Sequence, residues 1–281
     1  MSDAVQQEIN RLRGQMQRSN GYQARHEIER ILAPLRADPK RLEPYGFKVY
    51  SQNDEDGILE EIFRRLGVSK GQFVEIGVEN GLECNSLFLL HKGWNGAWVE
   101  GNQNQRPAIE AKFAPILGRR LQVAFGWATA EGFNGLLKTL GAPADLDFLS
   151  IDIDGNDIYL LAAMEIRPKV VCVEYNAKFP ANLSKQVTYD PMRSWNGSDY
   201  FGASLKALDE VMTGKGYRLV GTNLTGANAF FVRQDLAGDL FADDASPEAL
   251  YHPPRYWLWH DHYARVGHPA DFGPYLDMME G

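Results

Sequence analysis

The stretch QFVEIGVENG, residues 72–81, joins an apolar run that contains Glu75 to a loop that contains Gly77 and Gly81. A strand that passes into a glycine-containing turn before a helix is typical of α/β proteins that hold nucleotide-like ligands. The dinucleotide fingerprint is Gly-x-Gly-x-x-Gly, whereas three larger residues separate these two glycines, one of them Glu79. Because the carboxylate of Glu79 would repel a phosphate, the loop predicts a nucleotide-like ligand that lacks one.

Apolar strands alternate with helical segments on both sides of this stretch. The predicted strands cover residues 73–76, 96–100, 121–125, 148–152 and 170–174. The predicted helices cover residues 54–66, 85–91, 107–113, 131–140, 157–164 and 205–213. This alternation indicates βαβ units and a parallel sheet whose carboxyl-terminal strand ends meet at one ligand-binding edge. Residues 217–233 read as two strands joined by a short turn, which predicts an antiparallel last strand.

The chain divides into three predicted parts. Its 281 residues, 44% of them hydrophobic, suffice for one core with helical additions. We expect an N-terminal helical extension over residues 1–45, a main domain over 46–240, and an aromatic tail over 241–281 that packs on the domain. In the extension, two helices are expected over 3–36 with a break at Asn20-Gly21. The arginines of this segment favour a solvated face over a site for an acidic partner, and a contact between copies of the chain stays open.

The composition limits the classes of partner. A net charge of -8 argues against binding of nucleic acid or acidic membranes by the whole surface. No apolar stretch approaches the roughly 18 residues needed to span a bilayer, and the N-terminus lacks the apolar region of a signal peptide. Cys84 and Cys172 each lie beside apolar runs, which favours buried thiols in a reducing compartment. We therefore expect a cytoplasmic protein.

S-adenosylmethionine fits the ligand that the first loop predicts, because it carries an adenosine, an amino acid and a sulfonium but no phosphate. Glu75 could orient its cationic amino group, directly or through water. Glu100 ends the second predicted strand, where a carboxylate can accept hydrogen bonds from both ribose hydroxyls. NAD would use the same acidic residue, so only the first loop separates the two cofactors.

A further acidic group lies in LSIDIDGND, residues 149–157, at the end of the fourth predicted strand. Asp152 and Asp154 alternate on one face there, and Glu174 ends the neighbouring strand. Oxygen ligands of this kind suit Mg²⁺, Mn²⁺ or Ca²⁺, and such an ion could lower the pKa of a bound hydroxyl. Without a metal, Asp152 would act as general base and Asp157 as the helix N-cap. The Asp-x-Asp site of a nucleotide-sugar glycosyltransferase is another interpretation.

Four stretches together resemble the FkbM-type branch of the class I S-adenosylmethionine-dependent methyltransferases. They are YSQNDEDGILEEIF (50–63), FVEIGVENGLECNSLFLLHKGWNGAWVEGN (73–102), LSIDIDGND (149–157) and VVCVEYN (170–176). The resemblance covers roughly residues 49–235. It implies an α/β, Rossmann-like class I methyltransferase fold, with a mostly parallel seven-stranded sheet and an antiparallel last strand. It also implies methyl transfer to oxygen, often on sugars or natural products.

The residue patterns and the resemblance name the candidate site residues. Those expected at the cofactor are Gln52, Glu75, Gly77, Asn80, Gly81, Asn85, Glu100, Gly101 and Asn102. Those expected in catalysis are Asp152, Asp154 and His260, and those expected at a metal are Asp152, Asp154 and Glu174. His260 would contribute only if the tail folds over the site, and aromatic packing is the favoured interpretation of that residue.

The function expected from these patterns is an S-adenosylmethionine-dependent O-methyltransferase. Its acceptor would be a hydroxyl of a sugar, a glycan or a natural product, with Mg²⁺ or Mn²⁺ as a candidate second cofactor. The alternatives are an NAD-dependent sugar oxidoreductase and a non-catalytic Rossmann-like binding module.

Overall fold

One seven-stranded sheet organises the protein, and the computed structural model describes residues 3–259 and 270–273. The strands are β1 (Gln72–Ile76), β2 (Asn95–Glu100), β3 (Leu121–Phe125), β4 (Phe148–Ile151), β5 (Val170–Glu174), β6 (Tyr217–Thr222) and β7 (Asn228–Arg233). Their order in the sheet is β3-β2-β1-β4-β5-β7-β6. Neighbouring strands from β3 to β5 are parallel, whereas β7 is antiparallel to both β5 and β6. The predicted Rossmann-like sheet with an antiparallel last strand is therefore confirmed.

Helices connect the strands and extend the chain at both ends of the domain. Among the described residues these are α1 (Asp3–Leu35), α2 (Glu55–Leu66), α3 (Leu87–His91), α4 (Arg106–Phe113), α5 (Phe133–Thr139), α6 (Asp157–Ala163), α7 (Leu205–Gly214), α8 (Gln234–Ala237) and α9 (Pro247–Leu250). The described part of the chain contains no helix with the length and apolarity required to cross a membrane.

The side chains of the strands alternate between two cores. In β1, Val74 and Ile76 belong to one buried cluster, and Phe73 belongs to the other. In β5, Val171 belongs to the cluster of Val74, and Cys172 belongs to the cluster of Phe73. Because successive strand residues point to opposite faces, a sheet covered on both faces needs strands that are apolar at nearly every position. This requirement explains the apolar runs from which the strands were predicted.

The N-terminal extension differs from its prediction, because α1 is one continuous helix that includes Asn20 and Gly21. A glycine inside a helix costs only about 1 kcal/mol relative to alanine, which is too little to end a helix held at its far end. That hold comes from Leu32, which packs with Leu224 and Leu258 in a small buried cluster. The break predicted at these two residues is therefore wrong.

The C-terminal tail runs back over the domain as far as the structure describes it. Leu258 is buried, and the pair His252 and Glu43 joins the tail to the segment that follows α1. His260 lies outside the described residues. The division into extension, domain and tail stays a prediction.

Asp56 fixes the segment that leads into α2. Its Oδ2 accepts hydrogen bonds from the backbone N–H groups of Val49 (2.7 Å), Tyr50 (2.6 Å) and Ser51 (2.9 Å). Burial raises the pKa of Asp56 to about 6 despite these bonds. The buried carboxyl group therefore holds a proton more readily in the folded protein than in the unfolded chain.

This raised pKa predicts a pH-dependent contribution to stability. A group that binds its proton more tightly when folded stabilises the protein below its unfolded pKa, and that contribution is lost as pH rises through the folded pKa of about 6. We expect Asp56→Asn to remove a pH-dependent difference of up to roughly 3 kcal/mol. Urea unfolding of both proteins between about pH 4.5 and 7.5 measures it. A difference between wild type and variant that does not change with pH would contradict the assignment.

Candidate active site

Gly77 directs the chain out of the sheet after β1. Its φ is 85°, and a Cβ placed there would lie 1.7 Å from the backbone oxygen of Asp152. Its N–H donates to the backbone oxygen of Val99 at 2.9 Å, so the loop leaves between β2 and β4. Only glycine combines this backbone conformation with this approach. The position thereby joins the loop after β1 to the loop after β4.

Glu75 is buried in β1 and holds the far end of the same loop. It accepts hydrogen bonds from the backbone N–H groups of Asn85 (2.8 Å) and Ser86 (2.9 Å) and from the Ser86 hydroxyl. Burial raises the pKa of Glu75. The structure thus gives this carboxyl group a positioning role at the start of α3, and its contact with a cofactor amino group stays a prediction.

Glu100 joins the loops after β1 and β2. Its Oε2 accepts from the N–H groups of Val78 (3.2 Å) and Glu79 (2.7 Å), and its Oε1 accepts from that of Asn102 (2.6 Å). A carboxylate has about four acceptor positions, so these bonds leave capacity for a ligand hydroxyl. Glu79 itself adopts a positive φ of 48°, a conformation rare for residues other than glycine.

Five other residues predicted at the cofactor lie in three different settings. Gln52, Asn80 and Asn102 are exposed around the carboxyl edge of the sheet or on the segment before α2. Asn85 is buried, and its Nδ2 donates to Ser150 Oγ at 3.0 Å, so its side chain points into the sheet. Gly101 follows β2 and leads into the exposed loop. None of these contacts with a cofactor has been tested.

Trp127 is a candidate cofactor residue that the sequence patterns did not indicate. It follows β3 at the same edge, is 53% exposed, and its ring would lie 3.8 Å from a Cβ at Gly101. Gly126 donates to the backbone oxygen of Glu100 at 2.9 Å and so fixes the start of this segment. An exposed indole face beside Glu100 can stack on a flat ring. An aromatic residue just after a predicted strand end was the available signal.

Asp152, Asp154 and Glu174 converge at the ends of β4 and β5. One ligand oxygen from each lies within 4.8 Å of the others, and all three residues are partly buried. Asp152 lies one residue beyond β4, and its N–H still bonds the backbone oxygen of Ile76 at 3.0 Å. The Oε2 atom of Glu174 is buried without a hydrogen-bond partner. The structure therefore brings together the three carboxylates that the sequence placed on neighbouring strands.

The pKa of each of these three carboxyl groups is raised, chiefly by burial. Burial and the charge of Asp154 hold the pKa of Asp152 well above its usual range. Burial and the charge of Asp152 do the same for Glu174, and the pKa of Asp154 is also raised by burial. Like charges this close cannot all ionise without compensation, so the cluster holds a proton or binds a cation. Hard oxygen donors and an unpartnered buried oxygen fit a divalent ion such as Mg²⁺ or Mn²⁺.

Asp157 shapes the loop that carries two of these carboxylates. It accepts hydrogen bonds from the backbone N–H groups of Ile153 and Gly155, both at 2.9 Å. The residue at the N-cap of α6 is Asn156, so the prediction of Asp157 at that position is wrong by one residue. The side chain of Asp157 instead closes the turn, in which Asp154 takes a positive φ of 55°. A turn this tight fixes where the neighbouring carboxylates point.

The long segment between β5 and α7 is tied to the same edge. Asn156 Nδ2 donates to the backbone oxygen of Asp190 at 2.7 Å, and Asn176 Nδ2 donates to that of Phe201 at 2.9 Å. The segment leaves several large apolar side chains exposed, namely Met192, Trp195 and Tyr200. It can therefore form one wall of a pocket next to the carboxylates.

Tyr256 brings the tail to this cluster. The tail is anchored where Tyr175 Oη donates to the backbone oxygen of His252 at 2.7 Å, and where Arg255 N–H donates to that of Thr225 at 2.8 Å. Burial, then the charges of Glu174 and other neighbours, raises the pKa of Tyr256 to about 12. Its phenol is 41% exposed and so accessible to a ligand. The residue predicted for catalysis in this tail was His260, and no local pattern distinguished Tyr256 from the other aromatic residues.

Comparison with known proteins gives fold neighbours only. No family model matches the chain, and no curated protein does. Among solved structures, the S-adenosylhomocysteine-bound methyltransferase PaMTH1 of Podospora anserina is 14% identical, with 63% of this chain and 78% of that chain covered and a TM-score of 0.42. The S-adenosylhomocysteine-bound N-terminal domain of EvdMO1 is 13% identical, with 74% and 94% covered and a TM-score of 0.43.

A third solved structure is the O-methyltransferase TomG from Streptomyces achromogenes, in complex with S-adenosylmethionine. It is 19% identical, with 62% of this chain and 76% of that chain covered and a TM-score of 0.39. Two of these three proteins are named as methyltransferases, and the third was solved with S-adenosylhomocysteine bound. At such identities and TM-scores they carry no argument about the function of this chain.

Proposed function

We propose that this chain is an S-adenosylmethionine-dependent methyltransferase of the FkbM-like kind that methylates a hydroxyl of a sugar, a glycan or a natural product. The observation that supports it best is that Gly77 joins two half-sites. The backbone oxygen of Asp152 lies where the side chain of any larger residue at this position would begin. One half is the loop pair held by Glu75 and Glu100, and the other is the cluster of Asp152, Asp154 and Glu174. A small nucleoside-type ligand in the first half would face an acceptor in the second.

Hydrogen bonds within the chain organise the cofactor half of the site. Glu75 and Glu100 hold the loops after β1 and β2, and Trp127 offers an exposed face for an adenine ring. S-adenosylmethionine, when bound, supplies a methyl group on a positively charged sulfur. The residues of the chain align that group with the acceptor, and alignment is the main source of rate in such a displacement.

On the acceptor half, Asp152 would take the proton of the hydroxyl as its oxygen accepts the methyl group, and the carbon–sulfur bond would break to leave S-adenosylhomocysteine. The raised pKa of Asp152 makes its ionised form a stronger base than an ordinary carboxylate. Asp154 and Glu174 would share that role or, with Asp152, hold a divalent cation that lowers the pKa of the hydroxyl. Tyr256 and the segment between β5 and α7 would line the pocket for the rest of the acceptor. Within this proposal the acceptor is a small molecule or glycan and the protein is cytoplasmic.

Calorimetric titration with S-adenosylmethionine and with NAD tests the cofactor assignment. We expect S-adenosylmethionine to bind, and Trp127→Ala to weaken it by about 1–3 kcal/mol through loss of a stacking face. Trp195→Ala removes an equally exposed indole, 54% against 53%, from the other loop and should leave this affinity unchanged. Binding of NAD in preference to S-adenosylmethionine would overturn the proposal.

A further inference from the structure

Within the part of the chain that the structure describes, the first two thirds of α1 contribute no buried side chain. From residue 3 to residue 23 every position is exposed or only partly buried, and the buried residues of the helix are Ala24 and Leu32. This stretch also contains Gly14 and Gly21, each of which costs about 1 kcal/mol relative to alanine. An isolated helix of this length and composition is marginal in water. We therefore expect a partner surface to cover one face of this stretch and stabilise the helix.

Four apolar side chains of this stretch form a seam over residues 5–16. Val5, Ile9, Leu12 and Met16 follow one another at intervals of four, three and four residues, the alternation of d and a positions in a heptad repeat. Val5, Leu12 and Met16 are 49%, 46% and 65% exposed. With β-branched Ile9 at an a position and Leu12 at a d position, the pattern favours a two-stranded parallel coiled coil.

The charges beside the seam match a second copy of the same helix. In this register Glu8 occupies a g position and Arg13 the e position of the next heptad. In a parallel, in-register pair, g of one helix meets that following e of its partner, so Glu8 and Arg13 would form two reciprocal ion pairs. Glu8 also pairs with Arg11 of its own helix, which lies at c, outside the seam. A carboxylate can accept hydrogen bonds from both guanidinium groups.

The seam lies on a different face of α1 from the one that packs on the described part of the domain. At 3.6 residues per turn, the face that carries Ala24, Ile28, Ile31 and Leu32 is rotated by roughly a third of a turn from the face that carries the seam. Ile28, Ile31 and Leu32 pack against the rest of the chain. The helix can therefore hold its own domain with one face and a partner with another.

We propose that residues 5–16 of α1 join two copies of this chain in a parallel, in-register coiled coil. The assignment is independent of methyl transfer, because the seam lies outside the site at the carboxyl edge of the sheet. A second copy is the occupant because it supplies a matching apolar seam and both members of the g–e pair.

Sedimentation equilibrium of the full chain tests the seam. We expect a reversible dimer, and Leu12→Lys should raise its dissociation constant by about a hundredfold or more, since both chains lose a buried leucine. Gln7→Lys adds the same charge at an exposed position on the opposite face and should leave the constant nearly unchanged. Calorimetric binding of S-adenosylmethionine by both variants reports separately on the folded domain.

A charge exchange tests the parallel register. Glu8→Arg alone and Arg13→Glu alone each place like charges across the seam, and each should weaken the homodimer several-fold. An equimolar mixture of the two variants restores both ion pairs and should form a heterodimer about as tight as the wild type. Weakening without recovery in the mixture would overturn the register.

Three outcomes would overturn the proposal as a whole. The first is a wild-type chain that stays monomeric at about 100 μM, a concentration at which even a weak coiled coil associates. The second is a dimer that Leu12→Lys leaves intact, which would place the contact elsewhere. The third is a monomer whose helix binds vesicles of anionic phospholipid through the same seam, which would make a membrane surface the occupant.

Discussion

The Asp152→Asn variant is expected to lose methyl transfer by about a hundred- to ten-thousandfold in kcat, the usual contribution of a positioned general base. Asparagine keeps the size of the side chain but cannot take the hydroxyl proton, and it is a poorer cation ligand than a carboxylate. Production of S-adenosylhomocysteine with a panel of sugar and natural-product acceptors measures the loss. The affinity for S-adenosylmethionine should change little, since Glu75, Glu100 and Trp127 form the cofactor half of the site.

Asp145 provides the matched control, because it lies just before the start of β4, at the end of the strand opposite to Asp152. Its side chain is 62% exposed and pairs with Arg233, so Asp145→Asn should keep full activity. EDTA then separates the two roles of the carboxylate cluster. Activity lost in EDTA and restored by Mg²⁺ or Mn²⁺ would support a bound cation. Full activity in EDTA would exclude the cation and leave the general-base role of Asp152. An Asp152→Asn enzyme with wild-type kcat would eliminate both roles.

The second large effect is expected at Gly77. A Cβ at this position meets the backbone oxygen of Asp152 at 1.7 Å and also forces a positive φ of 85° on an alanine. We expect Gly77→Ala to lower the free energy of unfolding by roughly 2–5 kcal/mol, from conformational strain and from displacement of backbone. The affinity for S-adenosylmethionine should fall as well, because both loops at the site must move. Denaturant unfolding and calorimetry measure the two effects.

Gly118 separates the clash from the strain. It has a similar φ of 73°, but a Cβ there would meet no atom within 4 Å. Gly118→Ala should therefore cost about 1–2 kcal/mol, the price of the left-handed conformation, and leave cofactor affinity unchanged. Equal losses of stability and affinity in the two variants would show that the approach of Gly77 to the loop after β4 has no role in the site.

The sheet was predictable because its strands are buried on both faces. An apolar residue is then needed at nearly every strand position, and this signal is local, as in VVCVE, Val170–Glu174. The positions of Glu75, Glu100, Asp152 and Glu174 followed from the same signal, since parallel strands end at one edge. Their hydrogen-bond partners were not predictable, because a carboxylate accepts from whichever backbone groups the returning loops bring to it.

The break predicted in α1 from local sequence was wrong. Asn20 and Gly21 weaken a helix by a small amount, and that amount loses to packing of Leu32 against side chains far away in the chain. Trp127 and Tyr256 were not among the predicted site residues, for a related reason. An exposed aromatic residue has no period of its own: the place of Trp127 after a strand end was the one local signal, and the place of Tyr256 depends on how the tail packs on the domain.

By itself, the sequence QFVEIGVENG determined a strand that ends in a loop with two glycines, because burial on both faces and a positive φ are demands made on single residues. The tertiary structure decided the use of that loop. Gly77 is needed because the backbone oxygen of Asp152 occupies the space of its side chain, and Glu75 holds the start of α3 while Glu100 holds the loop itself. These relations join residues distant in the chain, so they exist only after the sheet has brought the strand ends together.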